Sequence, residues 1–139
     1  MAEEEKIVIK AGDLESIQGV IKLGNLPLPV KTGYILARLI KKISAEAKTY
    51  HEERMKLVYQ YCDRDEKGEP VLMNNDQISV RKNMAIFNEK LAELQRIPVE
   101  LSLSKIKMDL NQIPEGSMSA VDFIQIEPFV EIVEIDHGD

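Results

Sequence analysis

The amino-acid sequence predicts an α+β fold: a long antiparallel helical hairpin packed on a small β-sheet with two short helices. Residues 30–61 and 79–96 both carry apolar side chains at helical spacing, whereas residues 6–10 and 99–108 have strand-like patterns. A chain of 139 residues is long enough for one domain with its own core. We therefore predict a single domain, residues 1–139, with the hairpin at about 29–96 and the sheet and short helices from 1–28 and 97–135.

The N-terminal part predicts a strand followed by a short helix. Residues 6–10 are rich in β-branched side chains, and Ala11 and Gly12 end the strand. Asp13 is expected to cap a helix that ends at Gly24, with an inner face formed by Leu14, Ile17 and Ile21. The prolines in residues 26–29 then favour an extended connector.

The segment 30–61 predicts one uninterrupted helix. Neither Gly nor Pro occurs after Gly33, and a seam alternates steps of four and three, with Arg54 as its one polar member: Leu36, Ile40, Ile43, Ala47, Tyr50, Leu57 and Tyr61. At about 1.5 Å per residue the helix would span roughly 45 Å. A compact domain of this size is shorter, so we expect a different element to pack on each half, with the N-terminal half incompletely covered.

A second helix is expected to return along the first. A polar turn at 63–70, a brief apolar segment at 71–73 and Asn74–Asp76 predict a loop or small β excursion. The helix at 79–96 should then turn five side chains inward: Val80, Met84, Phe87, Leu91 and Leu94. Matching seams and a short connection favour an antiparallel hairpin that covers only the half from about Ala47 to Tyr61.

The C-terminal part predicts the rest of the sheet and the second short helix. Residues 99–108 alternate in a strand that should bend near Ser104 and Lys105, and residues 129–135 could add a final strand to the same sheet. Ser119 and Asp122 have capping-box spacing. The helix they open should turn Val121, Ile124 and Phe123 inward, and both short helices should cover the N-terminal half of the long helix.

Composition narrows the classes of partner. A net charge of −6 with interspersed signs argues against nucleic-acid binding, and no apolar run approaches the length of a membrane span. Met1–Glu5 is acidic where a signal peptide would be basic, so the chain is not expected to be secreted. Lys41 and Lys42 with Arg38 form the local basic cluster, and Tyr34 lies one helical turn before Arg38.

No pattern of catalytic or metal-binding residues can be assembled. Residues 63–74 begin like a calcium-binding loop, but Lys67 and Asn74 stand where oxygen ligands belong. His51–Glu52 lacks the second histidine of a zinc-protease helix, because Met55 stands in its place. The lone Cys62 is expected to be a buried small residue. We therefore predict no enzyme activity, no catalytic residue, no metal and no cofactor; an enzyme using carboxylates and a divalent metal is the least favoured alternative.

Several structural motifs carry a family resemblance. They are residues 28–32 at the start of the long helix, the turn 65–70, residues 87–91 with Glu93 and Leu94, and residues 119–122 through 127–129. Together they resemble a family of small proteins of unknown function encoded by tailed bacteriophages and prophages of Gram-positive bacteria. The resemblance implies a phage or prophage origin and a place in the host cytoplasm or in the virion, and it supplies no catalytic residues.

Two functions are predicted from these observations. The first is a non-enzymatic interaction or assembly protein whose partner is a phage structural protein or a host protein, with self-association also open. Its expected surface comprises Tyr34, Arg38, Lys41 and Lys42. The alternative is a small-ligand or nucleotide binder acting against host defence, with its site near Tyr34 and Arg38, where the sheet meets the long helix.

Overall fold

The chain mixes helices and strands, as the sequence predicts. A computed structural model of the protein describes residues 6–134. Its regular elements are β1 (Lys6–Lys10), α1 (Gln18–Gly24), α2 (Val30–Tyr61), α3 (Met84–Gln95), β2 (Pro98–Ser104), β3 (Ile106–Asp109), α4 (Ala120–Ile126) and β4 (Val130–Val133). Short 3-10 turns cover Ala11–Glu15, Arg81–Asn83 and Leu110–Gln112.

Helix α2 runs unbroken from Val30 to Tyr61, as predicted. Its first half is deeply buried, because Leu36, Leu39 and Ile43 each have 0% of their surface exposed. Helix α1 and strands β2 and β3 pack against α2. Leu36, Leu39 and Ile43 are therefore covered, but Val30, Tyr34 and Ile35 in the same half stay exposed, so this half of α2 is incompletely covered, as expected. Further along, the seam residue Tyr50 is also buried. Leu39 and Val58 do not belong to the predicted seam but are buried as well, so the core face is wider than that seam.

Helix α1 begins later than predicted. The carboxylate of Asp13 accepts a hydrogen bond from the backbone N–H of Lys10 at 3.0 Å, which fixes a 3-10 turn instead of capping an α-helix. The later start rotates the buried face, so Val20 and Leu23 are fully buried, whereas Ile21 is 37% exposed. The predicted inner position of Ile21 is wrong, and that of Leu14 is confirmed, since Leu14 is buried within the turn.

Helix α4 begins at the predicted capping box but packs on a different element. The Ser119 hydroxyl accepts from the Asp122 N–H, and the Asp122 carboxylate accepts from the Ser119 N–H. The helix packs closely on α1, and Lys22 Nζ lies 2.9 Å from Asp122 Oδ2. Val121 and Ile124 are exposed, and Ile126 and Phe129 are buried in their place. The predicted inward positions of Val121 and Ile124 are therefore wrong.

A glycine sets the distance between α1 and α4. A Cβ atom added at Gly19 would lie 2.6 Å from the backbone oxygen of Asp122. The Gly19 N–H also donates to Gln125 Oε1 at 2.7 Å. Any side chain here would push the two helices apart, so the helix-weakening glycine is kept by packing.

The predicted single sheet is wrong, because the strands form two separate pairs. β1 pairs antiparallel with β2, and β3 pairs parallel with β4. The chain changes partner at Lys105, where the sequence predicted a bend. The register between β1 and β2 also shifts between Lys6 and Val8, opposite Ser102, whose φ is +58°. Ile135, the last residue of the predicted tail strand, lies outside the described residues.

Helix α3 begins five residues later than predicted, at Met84. Ser79 and Val80 are drawn into the preceding loop, since the backbone of Ser79 bonds to both Asp63 and Val71. Met84 is consequently exposed, whereas Phe87 is buried as predicted. Helix α3 contacts α2, and the Asn83 side chain donates to the carbonyl of Tyr61 at 3.0 Å.

We predict that Gly19→Ala destabilises the protein by about 2 kcal/mol, because the clash with Asp122 outweighs the better helix propensity of alanine. Urea unfolding followed by circular dichroism measures this difference. Gly33→Ala is the matched control, because Gly33 lies in helix α2 with nothing within 4 Å of an added Cβ. The control should be neutral or stabilising by up to about 1 kcal/mol; equal losses from both variants would contradict the close packing of α1 and α4.

Candidate interaction surfaces

The predicted interaction residues lie in the first turns of α2, on the face opposite its buried side chains. Tyr34 is 67% exposed, Arg38 and Lys41 are exposed, and Lys42 is partly buried at the edge of this face. Val30, one turn before Tyr34, is 90% exposed. At about 100° per residue, Val30, Tyr34, Arg38 and Lys41 fall on one side of the helix. We call these four residues the helix stripe.

The helix stripe combines two apolar side chains with two cationic ones. Among residues 6–134, neither Arg38 nor Lys41 forms an ion pair within 4.0 Å. The apolar contribution of Val30 was missed from the sequence, where this residue marked only the start of the helix. Its step of four from Tyr34 was the signal that could have identified it.

A second surface lies at the far end of α2, in residues 62–80, which we call the tip loop. The carboxylate of Asp63 is buried and accepts from the Ser79 hydroxyl at 2.7 Å and from the Lys82 N–H at 3.0 Å. The Ser79 hydroxyl, followed by the backbone N–H of Lys82, holds the pKa of Asp63 below its ordinary value. The tip loop is therefore an ordered element cross-linked by one carboxylate.

The turn that resembled a calcium loop is closed by its own hydrogen bonds. Asp65 Oδ1 accepts from the N–H groups of Lys67 and Glu69 at 2.9 and 3.0 Å. Gly68 takes a φ of +81°, which glycine adopts at little cost. This carboxylate stabilises the reversal at 65–69, as expected for an acidic, glycine-containing turn.

The tip loop exposes apolar side chains. Val71, Leu72 and Met73 are all exposed, Leu72 to 58%, and isolated β-bridges join Arg64 to Pro70 and Leu72 to Ile78. A groove of about 550 Å³ runs beside them, with Ser79 and Arg81 in its wall. The sequence predicted an apolar segment in a loop or small β excursion, but not the Asp63 contacts to Ser79 and Lys82, which link positions distant in sequence.

A polar cluster joins the turn Ala11–Glu15 to α2 and α3. Gln95 Nε2 donates to Glu15 at 3.2 Å, and Arg54 Nε lies 3.9 Å from the same carboxylate. Burial raises the pKa of the Tyr50 hydroxyl, Gln95 lowers it and Glu15 raises it further. The phenol therefore stays neutral, and it is not the activated base or nucleophile that catalysis would require.

Other candidate sites can be placed briefly. The Cys62 thiol is buried and lies 3.4 Å from the carbonyl oxygen of Tyr59, whereas His51 is exposed. Within residues 6–134, no group of three His, Cys, Asp or Glu side chains is arranged to hold a metal ion. None of the helices in this part of the chain is both long and apolar enough to cross a bilayer.

Comparisons with known proteins identify no relative of this chain. No family model, no curated protein and no solved structure matches the chain. The resemblance to phage and prophage proteins therefore stays a prediction.

We predict that acid loosens the tip loop through Asp63. A lowered folded-state pKa contributes stability above the ordinary aspartate pKa of about 3.9 and loses it as the pH falls through the folded-state pKa. The protection of the Val71, Ser79 and Lys82 amides against exchange, measured by NMR relative to an unstructured peptide at the same pH, should fall over that range. In Asp63→Asn these amides should exchange faster at neutral pH, with a smaller acid-dependent change; unchanged exchange in this variant would contradict the role of Asp63.

Proposed function

We propose that this chain is a non-enzymatic protein-interaction or assembly protein, of phage or prophage origin, that binds another protein through the helix stripe. The observation that carries the proposal is the exposure of Val30 and Tyr34 on successive turns of α2, followed by Arg38 and Lys41. Tyrosine and arginine are the residue types that contribute most to protein–protein binding. The partner is a phage structural protein or a host protein.

The side chains of the helix stripe define the chemistry of its partner surface. Burying Val30 and the ring of Tyr34 would favour association by about 1 to 3 kcal/mol each. Arg38 and Lys41 carry positive charge on a chain whose net charge is −6. A partner with an apolar pocket rimmed by Asp or Glu complements this arrangement, and the carboxylates would speed the encounter.

A helical hairpin of α2 and α3 would hold the tip loop, the second surface, at a fixed place. Two polar contacts support an antiparallel arrangement of α2 and α3: Asn83, before α3, bonds to Tyr61 at the end of α2, and Gln95, at the end of α3, lies near Tyr50. Phe87 is buried between these points in sequence. We propose that this hairpin braces the outer half of α2 and keeps the tip loop in position.

Two binding surfaces at opposite ends of one helix suit an assembly role. At about 1.5 Å per residue, Tyr34 and Tyr61 lie roughly 40 Å apart along α2. The helix stripe and the exposed Val71, Leu72 and Met73 of the tip loop therefore cannot be covered by one small contact. The protein would bridge two partners, or two sites of one large partner.

Site-specific photocrosslinking tests this proposal. p-Benzoylphenylalanine in place of Tyr34 should give one discrete protein adduct in cells of the strain that encodes the chain, and Arg38→Ala should reduce its yield severalfold. The same photoprobe at Lys48 is the matched control, because Lys48 is also exposed on α2, about 20 Å further along.

Light scattering on the purified chain identifies one class of partner. If the adduct has the mass of two copies, the wild-type chain should be a dimer and Tyr34→Ala should shift it towards monomer. Equal adducts from Tyr34 and Lys48, or none from Tyr34, would refute the helix stripe as a binding surface.

Tyr34 and Arg38 suit a protein surface better than a small-ligand site, because their side chains lie on the face of α2 opposite its buried residues.

A further inference from the structure

A groove of about 560 Å³ lies at the junction of the two strand pairs. Its walls come from β1, from the residues where β2 passes into β3, and from the start of β4. Eight residues line it: Lys6, Ile7, Val8, Ser104, Lys105, Lys107, Pro128 and Glu131. Its volume falls within the range of about 300 to 1,000 Å³ that small-molecule sites occupy.

Strand register brings three lysines into this groove from distant parts of the sequence. Lys6 lies opposite Ser104 in the pairing of β1 with β2, next to Lys105. Lys107 follows two residues later in β3, where it is exposed between the buried Ile106 and Met108. The groove therefore collects three ammonium groups that the sequence alone does not associate.

Within residues 6–134, these lysines have few acidic neighbours. Glu131 is the one acidic residue of the lining, and it lies opposite Lys107 in the parallel register of β3 with β4. Even so, none of the three lysines forms an ion pair within 4.0 Å among residues 6–134. Three cations against one carboxylate leave a local excess of positive charge on an acidic chain.

The remaining lining residues are Ser104 and three apolar residues. Ile7, Val8 and Pro128 line the groove, and the Val8 side chain is 61% exposed. An exposed valine beside a cationic site can pack against the flat face of a ring, while the ammonium groups bind anionic oxygens. Both features together suit a small molecule with a phosphate group at one end and a planar apolar group at the other.

From this combination we infer that the groove binds a small phosphate-bearing ligand of nucleotide type. Lys6, Lys105 and Lys107 bind its phosphate oxygens, and Val8 and Pro128 contact its base. The site is separate from the helix stripe and does not depend on the proposed protein partner. The sequence predicted a ligand site near Tyr34 and Arg38, whereas the site proposed here lies at the junction of the two strand pairs.

Calorimetry on the full chain with ADP as the probe tests the inference. Lys105→Gln/Lys107→Gln should weaken ADP binding by roughly a hundredfold, since two charge-assisted contacts are lost and each contributes about tenfold. The matched control is Lys48→Gln/Lys67→Gln, which removes the same charge from exposed lysines outside the groove lining and should leave binding unchanged. Circular dichroism melts should show that both variants remain folded.

Three outcomes would overturn the inference. They are no ADP binding below millimolar concentrations, equal losses in the groove and control variants, and pyrophosphate binding as tightly as ADP. The last result would retain the phosphate contacts but remove the base from the proposed ligand.

The acidic residues before β1 provide an independent check. Glu3, Glu4 and Glu5, which lie outside the described residues, immediately precede Lys6 in the sequence and carry negative charge. Neutralising them in Glu3→Gln/Glu4→Gln/Glu5→Gln should leave ADP binding equal or tighter. Weaker binding in this variant would contradict an anion site formed by the lysines.

Discussion

The burial of one short stretch of α2 determines the rest of this structure. Leu36, Leu39 and Ile43 are fully enclosed, and α1, β2 and β3 all pack against the helix that carries them. At about 1.5 to 3 kcal/mol for each side chain, the three contribute roughly 5 to 9 kcal/mol, comparable to the net stability of a whole domain. A helix held this firmly at one half can extend well beyond the core at the other.

The same burial explains which residues are left for function. Since one face of α2 is fixed in the core, the opposite face must remain at the surface, and it is there that Val30 and Tyr34 are exposed. The outer half of the helix needs a different support. Phe87 of α3, Tyr50 and Val58 are buried there, beside a loop cross-linked by Asp63. Packing thus separates two exposed apolar surfaces, one on the first turns of α2 and one in the tip loop beyond its end.

Spacing patterns within one segment predicted its secondary structure well. They did not predict which segments pair with each other. The length of α2, strand β1 and the capping box of α4 follow from local spacing and were predicted. The division into two strand pairs was missed, because residues 98–109 read as one strand until the partner at each end is known. The start of α3 was missed because Ser79 bonds to Asp63.

The same limit applies to the candidate sites. Tyr34, Arg38 and Lys41 share a helix face, so periodicity alone brought them together. Lys6 and Lys107 are about a hundred residues apart, and only strand register makes them neighbours. A groove built from such residues cannot be found from sequence spacing.

The central claim is that α2 is one rigid helix that sets the distance between its two surfaces. Electron–electron double resonance between spin labels at Lys31→Cys and Gln60→Cys, with Cys62→Ser to remove the native thiol, measures this directly. The account predicts a single narrow distribution centred near 44 Å, from about 1.5 Å per residue between positions 31 and 60, with a width set by the reach of the labels. A broad distribution, or a centre shorter by 10 Å or more (roughly two helical turns), would contradict it.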